Sequence, residues 1–431
     1  MIELHDYDNL RLWITIIVSV IAFSWVYKIQ TFKVKIWYSL LAAFILIYSG
    51  IGGAIKTVNS NYTFYYIVYI IVLSLTLKYF YKKNHLADNI LITRYKNTDT
   101  LLTKWIDKNG NKFIILYFAM LLFDLVYPIF RLQLLINPPS PSLEDLHYKT
   151  FVLGNTKDSI SQIVYLLQQF VVPFFYLSLY KYRNSTFKPL ILLLLPVYID
   201  LCNRGIIGRG QAMIPLVIVF LVIFEKVKPA KRTLLAVTSL IAIPFLSYTF
   251  VQFSQLRIGA YLLDISFGDS IQLLFGQEVG YPLLFNDYYG KGSPVSITEY
   301  ILWIILLPLP GFLKFGYGDP QVNMKFTMLV TGLDPSQSGF SICLPGLVGE
   351  SLITFGQYLF PLHAIILGTI VSYLIKYLSK YDSYKFIFFY VATIFSYNIC
   401  RGGTASSYSF VFKQFIILLL FIYYLKKKYR V

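Results

Sequence analysis

The sequence predicts an all-α polytopic membrane protein, and composition is the first reason. Hydrophobic residues make up 57% of the 431-residue chain, charged residues only 14%, and the mean hydropathy is +0.61. Soluble globular chains carry about a quarter charged residues. The second reason is that apolar runs of about 20 residues recur along the chain, which is the length that a helix needs to cross hydrocarbon. Together these features exclude a water-soluble protein.

The apolar runs predict about eleven transmembrane helices in a single transmembrane domain covering residues 1–431. The predicted spans are roughly 12 to 27, 36 to 54, 62 to 80, 112 to 128, 159 to 180, 188 to 201, 211 to 225, 233 to 253, 357 to 377, 384 to 400 and 408 to 425. A further apolar stretch, Ile301 to Leu313, is short and contains Pro308 and Pro310. It predicts one re-entrant or interfacial segment. The acidic start, Met1 to Asp8, favours a retained first span over a signal peptide.

Lysines set the predicted orientation, because short cytoplasmic loops are enriched in Lys and Arg. Basic residues concentrate in the loops at 28 to 35, 78 to 112 and 226 to 232 and in the terminal segment 426 to 428. Alternation between these segments predicts an N-terminus outside and a C-terminus in the cytoplasm. The net charge of +17 then follows mostly from topology and gives no support for a nucleic-acid partner.

Five arginines break this bias, because they fall at the outer ends of spans or in outer loops. They are Arg131, Arg204, Arg209, Arg257 and Arg401. One such arginine is as well explained by snorkelling or by a structural salt bridge. Five together favour a common ligand. Because a guanidinium binds phosphate through a two-pronged fork, we expect an anionic ligand that carries a pyrophosphate at the outer leaflet.

Two large outer loops are predicted, at about 129–158 and 254–356. The second contains two glycine-flanked glutamates, Glu278 and Glu350. A carboxylate in such an apolar, membrane-proximal context is expected to be either the partner of an arginine or a general base. Metal chemistry has no comparable support. The three cysteines and four histidines form no CxxC, Cys/His or HExxH pattern, so neither a metal site nor a cofactor is predicted.

Three stretches carry a resemblance to a known family. Asp200 to Gly205 leads through Arg209 and Gly210 into an apolar helix, Gln255-Leu256-Arg257 opens the large outer loop, and Gly349-Glu350 is followed by Gly356 before a late span. In this order and on this side of the membrane they resemble the O-antigen and capsular repeat-unit polymerases of the Wzy type. The overall plan of spans and loops is similar over nearly the whole chain.

The resemblance implies a metal-independent glycosyltransferase of the GT-C-like membrane class, with no cofactor, at the outer face of the bacterial inner membrane. It would transfer a growing glycan from its undecaprenyl diphosphate carrier to the non-reducing end of a new lipid-linked repeat unit. Its partners would be undecaprenyl-diphosphate-linked glycans, the lipid bilayer and a polysaccharide chain-length regulator. The five arginines would bind the diphosphate, and Glu278 or Glu350 would be the base.

Two alternatives stay open. An O-antigen ligase would transfer the glycan to a lipid A core, and it is expected to carry a histidine in its large outer loop, whereas residues 254 to 357 contain none. A flippase or transporter of lipid-linked oligosaccharide predicts charged residues along the spans and an internal repeat. Charges within the predicted spans are few, Asp124 and Lys413 being the main ones. The polymerase is therefore the favoured interpretation.

Overall fold

The computed structural model of the chain describes residues 6–27, 32–88, 92–127, 130, 132–136, 159–204, 209–228, 230–232, 234–235, 282, 286, 294–306, 309, 320–335, 337 and 343–428. Within these residues the secondary structure is helical, with one isolated β-bridge between Tyr7 and Ile55 and no strand. The predicted all-α class is confirmed for this part of the chain.

Thirteen α-helices lie in the described residues. They are α1 Asn9–Tyr27, α2 Phe32–Ile45, α3 Ser60–Asp88, α4 Ile92–Val126, α5 Ser159–Ser178, α6 Phe187–Arg204, α7 Arg209–Lys226, α8 Ile297–Ile305, α9 Val322–Thr331, α10 Gly346–Leu359, α11 Pro361–Ser379, α12 Lys385–Cys400 and α13 Thr404–Lys428. A π-helical segment, Leu46–Ile51, extends α2. α10 is bent at Gly356, where φ is 71° and ψ is 179°.

Four helices of the described chain are long and apolar enough to cross a membrane. The segments are Asn9–Val26, Lys33–Ile51, Ser60–Tyr81 and Pro361–Ser379, and they agree with predicted spans at 12 to 27, 36 to 54, 62 to 80 and 357 to 377. Shorter apolar helices lie at Phe187–Ile199 and Gln414–Leu425. These are the helices of a membrane protein. The total of about eleven crossings stays a prediction, and the predicted span at 233 to 253 lies almost wholly outside the described residues.

The described residues of the lysine-rich stretch before the fourth predicted span are helical, whereas the sequence indicated a loop. α3 continues to Asp88, and α4 begins at Ile92 and runs for 35 residues. The predicted span at 112 to 128 covers only the last part of α4. Hydropathy detects the apolar part of a helix alone, but intrahelical hydrogen bonds satisfy the backbone equally well where the helix continues into water. The sequence analysis therefore placed the start of this helix too late and wrongly predicted a loop before it.

Three helices interrupt the predicted outer loop at 254–356, namely α8, α9 and the first part of α10. α8 has nine residues, too few to cross hydrocarbon, and it ends next to Leu306, before Pro308. α8 covers the first part of the stretch predicted to be re-entrant or interfacial, Ile301 to Leu313, and of the rest of that stretch only Leu306 and Leu309 are described. Glu350, predicted to belong to a loop, lies within α10.

The chain divides into two compact units, and each is described by itself. Unit 1 comprises Met1–Ile92, Phe275–Lys380 and Val391–Phe412, and unit 2 comprises Thr93–Leu274, Tyr381–Tyr390 and Lys413–Val431. In unit 1, α3 packs against α1 and α11. Gly368 of α11 lies so close to α3 that a Cβ there would come within 2.9 Å of Thr76. Small residues permit such close helix contacts in membranes.

An arginine joins the start of α1 to the segment that precedes α3 in unit 1. The guanidinium of Arg11 donates to the carbonyl oxygens of Val58 and Ile55, both at 3.0 Å, and to Asp8 Oδ2 at 3.1 Å. Further carbonyl contacts at 3.4 Å reach Gly53 and Lys56. Hydrogen bonds from the backbone N–H and the side chain of Arg11 lower the pKa of Asp8. Both segments were predicted to lie outside, and they do lie on the same side of unit 1.

We expect Arg11→Lys to lower the free energy of unfolding by about 1.5–3 kcal/mol, because a lysine ammonium cannot reproduce a fork that contacts several carbonyls. Thermal denaturation in detergent would measure the loss. Lys56→Ala is the matched control, since Lys56 pairs with Asp6 between the same two segments but with both side chains largely exposed. Its expected effect is below about 1 kcal/mol. Equal losses in the two variants would contradict the prediction.

In unit 2, polar contacts join the segments that were predicted to be cytoplasmic. Arg183 binds Asp107 through two hydrogen bonds of 2.7 and 3.1 Å. Lys385 lies 2.5 Å from Glu225. Asp99 accepts hydrogen bonds from the backbone N–H and the hydroxyl of Ser383, at 3.0 and 2.6 Å. Helix ends assigned to one side by the lysine bias are therefore neighbours within this unit.

Candidate active site

The structure describes the side chains of two predicted site residues, Glu350 and Arg401. Only the backbone of Arg204, the last residue of α6, and of Arg209, the first residue of α7, is described. α7, Arg209–Lys226, contains the span predicted at 211 to 225. Arg131, Arg257 and Glu278 lie outside the described residues. The expected binding of one anionic ligand by the five arginines stays a prediction.

Glu350 is a buried carboxylate that faces the beginning of another helix. Glu350 is only 1% exposed to solvent. Glu350 Oε2 accepts a hydrogen bond from the backbone N–H of Thr404 at 3.3 Å and another from the Thr404 hydroxyl at 2.5 Å. Thr404 is the first residue of α13. The carboxylate of Glu350 therefore lies at the N-terminal end of α13, which carries partial positive charge.

The turn between α12 and α13 packs against the start of α10. It consists of Arg401, Gly402 and Gly403 and leads into Thr404. Gly402 has a φ of +84°, and a Cβ there would lie 3.0 Å from Pro345 Cδ and 3.1 Å from the backbone N and O of Gly346. The helix that carries Glu350 and the turn that carries Arg401 are thus held together. Because these two segments are far apart in the chain, the sequence analysis did not predict that they touch.

Arg401 rests on an aromatic support. Its Nη1 donates to the Tyr397 hydroxyl at 2.9 Å, and its guanidinium lies 5.1 Å from the centre of the Tyr397 ring. That ring makes edge contacts with Phe44 and Tyr48, at centroid distances of 5.9 and 6.2 Å. Arg401 itself is of intermediate exposure. A partly exposed guanidinium in a defined position is suited to binding an anion.

A buried histidine was missed by the sequence analysis. His363 Nδ1 lies 2.8 Å from the hydroxyl of Tyr69, and His363 Nε2 lies 3.1 Å from the hydroxyl of Tyr300. All three residues are fully buried. The sequence did contain a signal, because an ionisable residue within a predicted span is a candidate for function. Screening the histidines for metal motifs alone overlooked it, and its partners on α3 and α8 are distant in sequence.

Gly402→Ala is expected to destabilise the protein more than Gly332→Ala does. Both glycines have positive φ, which costs an alanine about 1–3 kcal/mol of strain. Gly332 has open space around its missing Cβ, whereas Gly402 is pressed against Pro345 and Gly346. Thermal unfolding of the two variants would measure the difference. A Gly402→Ala protein as stable as Gly332→Ala would mean that the turn does not hold α10.

No group of three or more His, Cys, Asp or Glu side chains suited to a metal ion occurs in the portion of the chain that is described. No protein-family model, curated protein or solved structure matches the chain.

Proposed function

We propose that the protein is a membrane glycosyltransferase that polymerises undecaprenyl-diphosphate-linked oligosaccharide repeat units into surface polysaccharide, O-antigen or capsule, at the outer face of the bacterial inner membrane. The observation that carries the proposal is the contact of Glu350 with Thr404, which fixes the turn bearing Arg401. A guanidinium anchored on Tyr397, in a turn that a buried carboxylate holds through Thr404, suits an anionic lipid-linked donor.

The proposed reaction needs two contributions from the protein. The acceptor hydroxyl oxygen attacks the anomeric carbon, the bond from that carbon to the diphosphate oxygen breaks, and the diphosphate leaves with the electron pair. Positioned arginines stabilise the charge on the leaving group. The proton of the acceptor hydroxyl passes to a carboxylate. Arg401 is proposed to bind the diphosphate together with Arg131, Arg204, Arg209 and Arg257.

The two candidate carboxylates take different roles in this proposal. Glu350 is almost fully buried, and its Oε2 already accepts two hydrogen bonds from Thr404. A group in this state is suited to positioning the Arg401 turn and poorly suited to reaching an acceptor sugar. We therefore assign Glu350 as a positioning residue and Glu278 as the general base.

Reconstitution would test the proposal directly. Purified protein in lipid nanodiscs is supplied with undecaprenyl-diphosphate-linked repeat units isolated from the host, and the products are separated on a gel. We expect a ladder of multiples of the repeat unit. Transfer of a single glycan to added lipid A core would identify a ligase instead. Movement of the lipid-linked glycan across a vesicle bilayer without bond formation would identify a transporter. Either result would reject the polymerase.

Arg401→Lys is expected to slow polymerisation by about tenfold or more, because it retains the charge but loses the planar fork. Rates of ladder formation at several donor concentrations would separate weaker donor binding from slower chemistry. Arg232→Lys is the control: Arg232 donates to the backbone carbonyls of Val227 and Glu225 on the predicted cytoplasmic side. We expect its rate to equal that of the wild type. Unchanged kinetics in Arg401→Lys would remove Arg401 from the donor site.

A further inference from the structure

Three exposed lysines form a row on α4, the long helix of unit 2. Lys104, Lys108 and Lys112 recur at every fourth residue, and side chains at this spacing lie on one face of a helix. Because each residue adds about 1.5 Å to a helix, successive lysines are about 6 Å apart along its axis. The same face continues with Ile115, which is 67% exposed. The row therefore meets an exposed apolar face of α4 at the start of the predicted span at 112 to 128.

A fourth lysine reaches the same place from α6. Lys188 lies in the first turn of α6, and its Nζ is 5.5 Å from the centre of the Tyr182 ring. The Tyr182 hydroxyl donates a hydrogen bond of 3.0 Å to Asn111 Oδ1, and Asn111 precedes Lys112 on α4. Ile191, three residues after Lys188, is 61% exposed, so this lysine also lies at the end of an exposed apolar face. Lysines of two helices thus approach one tyrosine.

The carboxylates that α4 carries beside the row are bound to other groups. Asp107 accepts hydrogen bonds of 2.7 and 3.1 Å from Arg183. Asp99 accepts hydrogen bonds from the backbone N–H and the hydroxyl of Ser383. Among the residues that the structure describes, no ion pair involves any of the four lysines. Lysines four residues apart on a helix repel one another, so an anion placed between them is favourable.

The headgroup phosphate of a phospholipid lies at the level that these lysines occupy. The polar layer on each side of a bilayer extends about 5–7 Å beyond the hydrocarbon. Lys112 and Lys108, about 6 Å apart along the helix, both fall within that layer when Ile115 lies in the hydrocarbon. Lysine side chains extend towards this layer, and each lysine there strengthens the attraction to an anionic leaflet. A zwitterionic lipid is attracted less, because its ammonium offsets the charge of its phosphate.

We propose that Lys108, Lys112 and Lys188 form, around Tyr182, a binding site for the headgroup of an anionic phospholipid of the bilayer. The lysine ammonium groups contact the phosphate oxygens, and the acyl chains lie along the exposed apolar faces of α4 and α6. Lys104, one turn farther from the hydrocarbon, adds attraction without contact. The site belongs to unit 2 and does not rest on the proposed function.

Native mass spectrometry of the full-length protein in detergent tests the proposal. The protein is titrated with phosphatidylglycerol and, separately, with phosphatidylcholine that carries the same acyl chains. Dissociation constants follow from the populations of the lipid-bound species. We expect the first phosphatidylglycerol to bind more tightly than phosphatidylcholine by about tenfold or more. Equal affinities would overturn the proposal, and this comparison needs no variant.

Removal of the three charges is the sharper test. The triple variant Lys108→Gln, Lys112→Gln and Lys188→Gln is expected to bind the first phosphatidylglycerol about a hundredfold more weakly, since each lysine at an anionic surface contributes about fivefold. Replacement of the same three lysines by arginine keeps the charge and is expected to keep the affinity. An unchanged affinity in the glutamine variant, or an equal loss in the arginine variant, would contradict the proposal.

Three exposed lysines elsewhere in unit 2 supply the matched control. The variant Lys228→Gln, Lys231→Gln and Lys427→Gln removes the same total charge. We expect it to bind the first phosphatidylglycerol as the wild type does. Equal weakening in the two glutamine variants would mean that the lipid responds only to the net charge of the protein, and the site would be rejected.

Two competitors distinguish the phospholipid from other sources of phosphate. Glycerol phosphate lacks acyl chains and is expected not to displace phosphatidylglycerol when the two are present at similar concentrations. Displacement would identify a site for free phosphate and overturn the lipid assignment. Undecaprenyl diphosphate is expected to bind equally well to the wild type and to the glutamine variant of the site. A preference for it at these lysines would assign the site to that lipid and reject the phospholipid.

Discussion

Glu278→Gln is expected to abolish polymerisation while leaving folding and donor binding intact. Loss of a general base costs about 10²–10⁴-fold in rate and has little effect on affinity, because the base acts in the transition state. The amide of glutamine resembles the carboxylate in shape but cannot accept the acceptor proton. Initial rates of ladder formation, together with binding of the lipid-linked donor, would measure the two effects separately.

A second carboxylate of the same predicted outer loop provides the control. Glu299 lies at the start of α8 and forms a partly exposed ion pair with Lys325, with a shortest distance of 3.2 Å. Glu299→Gln is expected to polymerise at nearly the wild-type rate. If Glu278→Gln does so as well, the base is assigned wrongly, and the role passes to Glu350 or to a loop aspartate such as Asp264.

Glu350→Ala is expected to cause the largest loss of stability among these variants. It removes the acceptor of both the backbone N–H and the hydroxyl of Thr404, and a buried donor without an acceptor costs about 1–3 kcal/mol. It also leaves a cavity inside unit 1. We expect weaker donor binding too, because the turn that carries Arg401 loses its attachment to α10. Unfolding in detergent and donor binding in nanodiscs would measure the two losses.

Glu350→Gln separates the charge of Glu350 from its shape. Its side-chain oxygen can still accept from Thr404, so we expect a smaller loss of stability than in Glu350→Ala. Glu299→Ala serves as the control for stability, since it breaks only a partly exposed ion pair and should cost below about 1 kcal/mol. A Glu350→Ala protein with wild-type stability and donor affinity would show that Glu350 does not position the turn.

The sequence by itself determined that the protein is helical and lies in a membrane. Hydrocarbon requires a minimum length of apolar helix and full backbone hydrogen bonding, and both requirements can be read locally. The lysine bias also grouped helix ends that are neighbours within each unit, such as Asp107 with Arg183. The expectation of a loop between the third and fourth predicted spans was wrong, because the described residues of that lysine-rich stretch are polar and still helical.

Only the tertiary structure decided the surroundings of Glu350. The sequence selected Glu350 and Arg401 but predicted a loop where α10 lies, and it passed over His363. Contacts across helices depend on the rotation and spacing of each helix against its neighbours, which close packing sets and local patterns do not. Tyr69, Tyr300 and His363 therefore meet through the packing of α3, α8 and α11, although they are far apart in the chain.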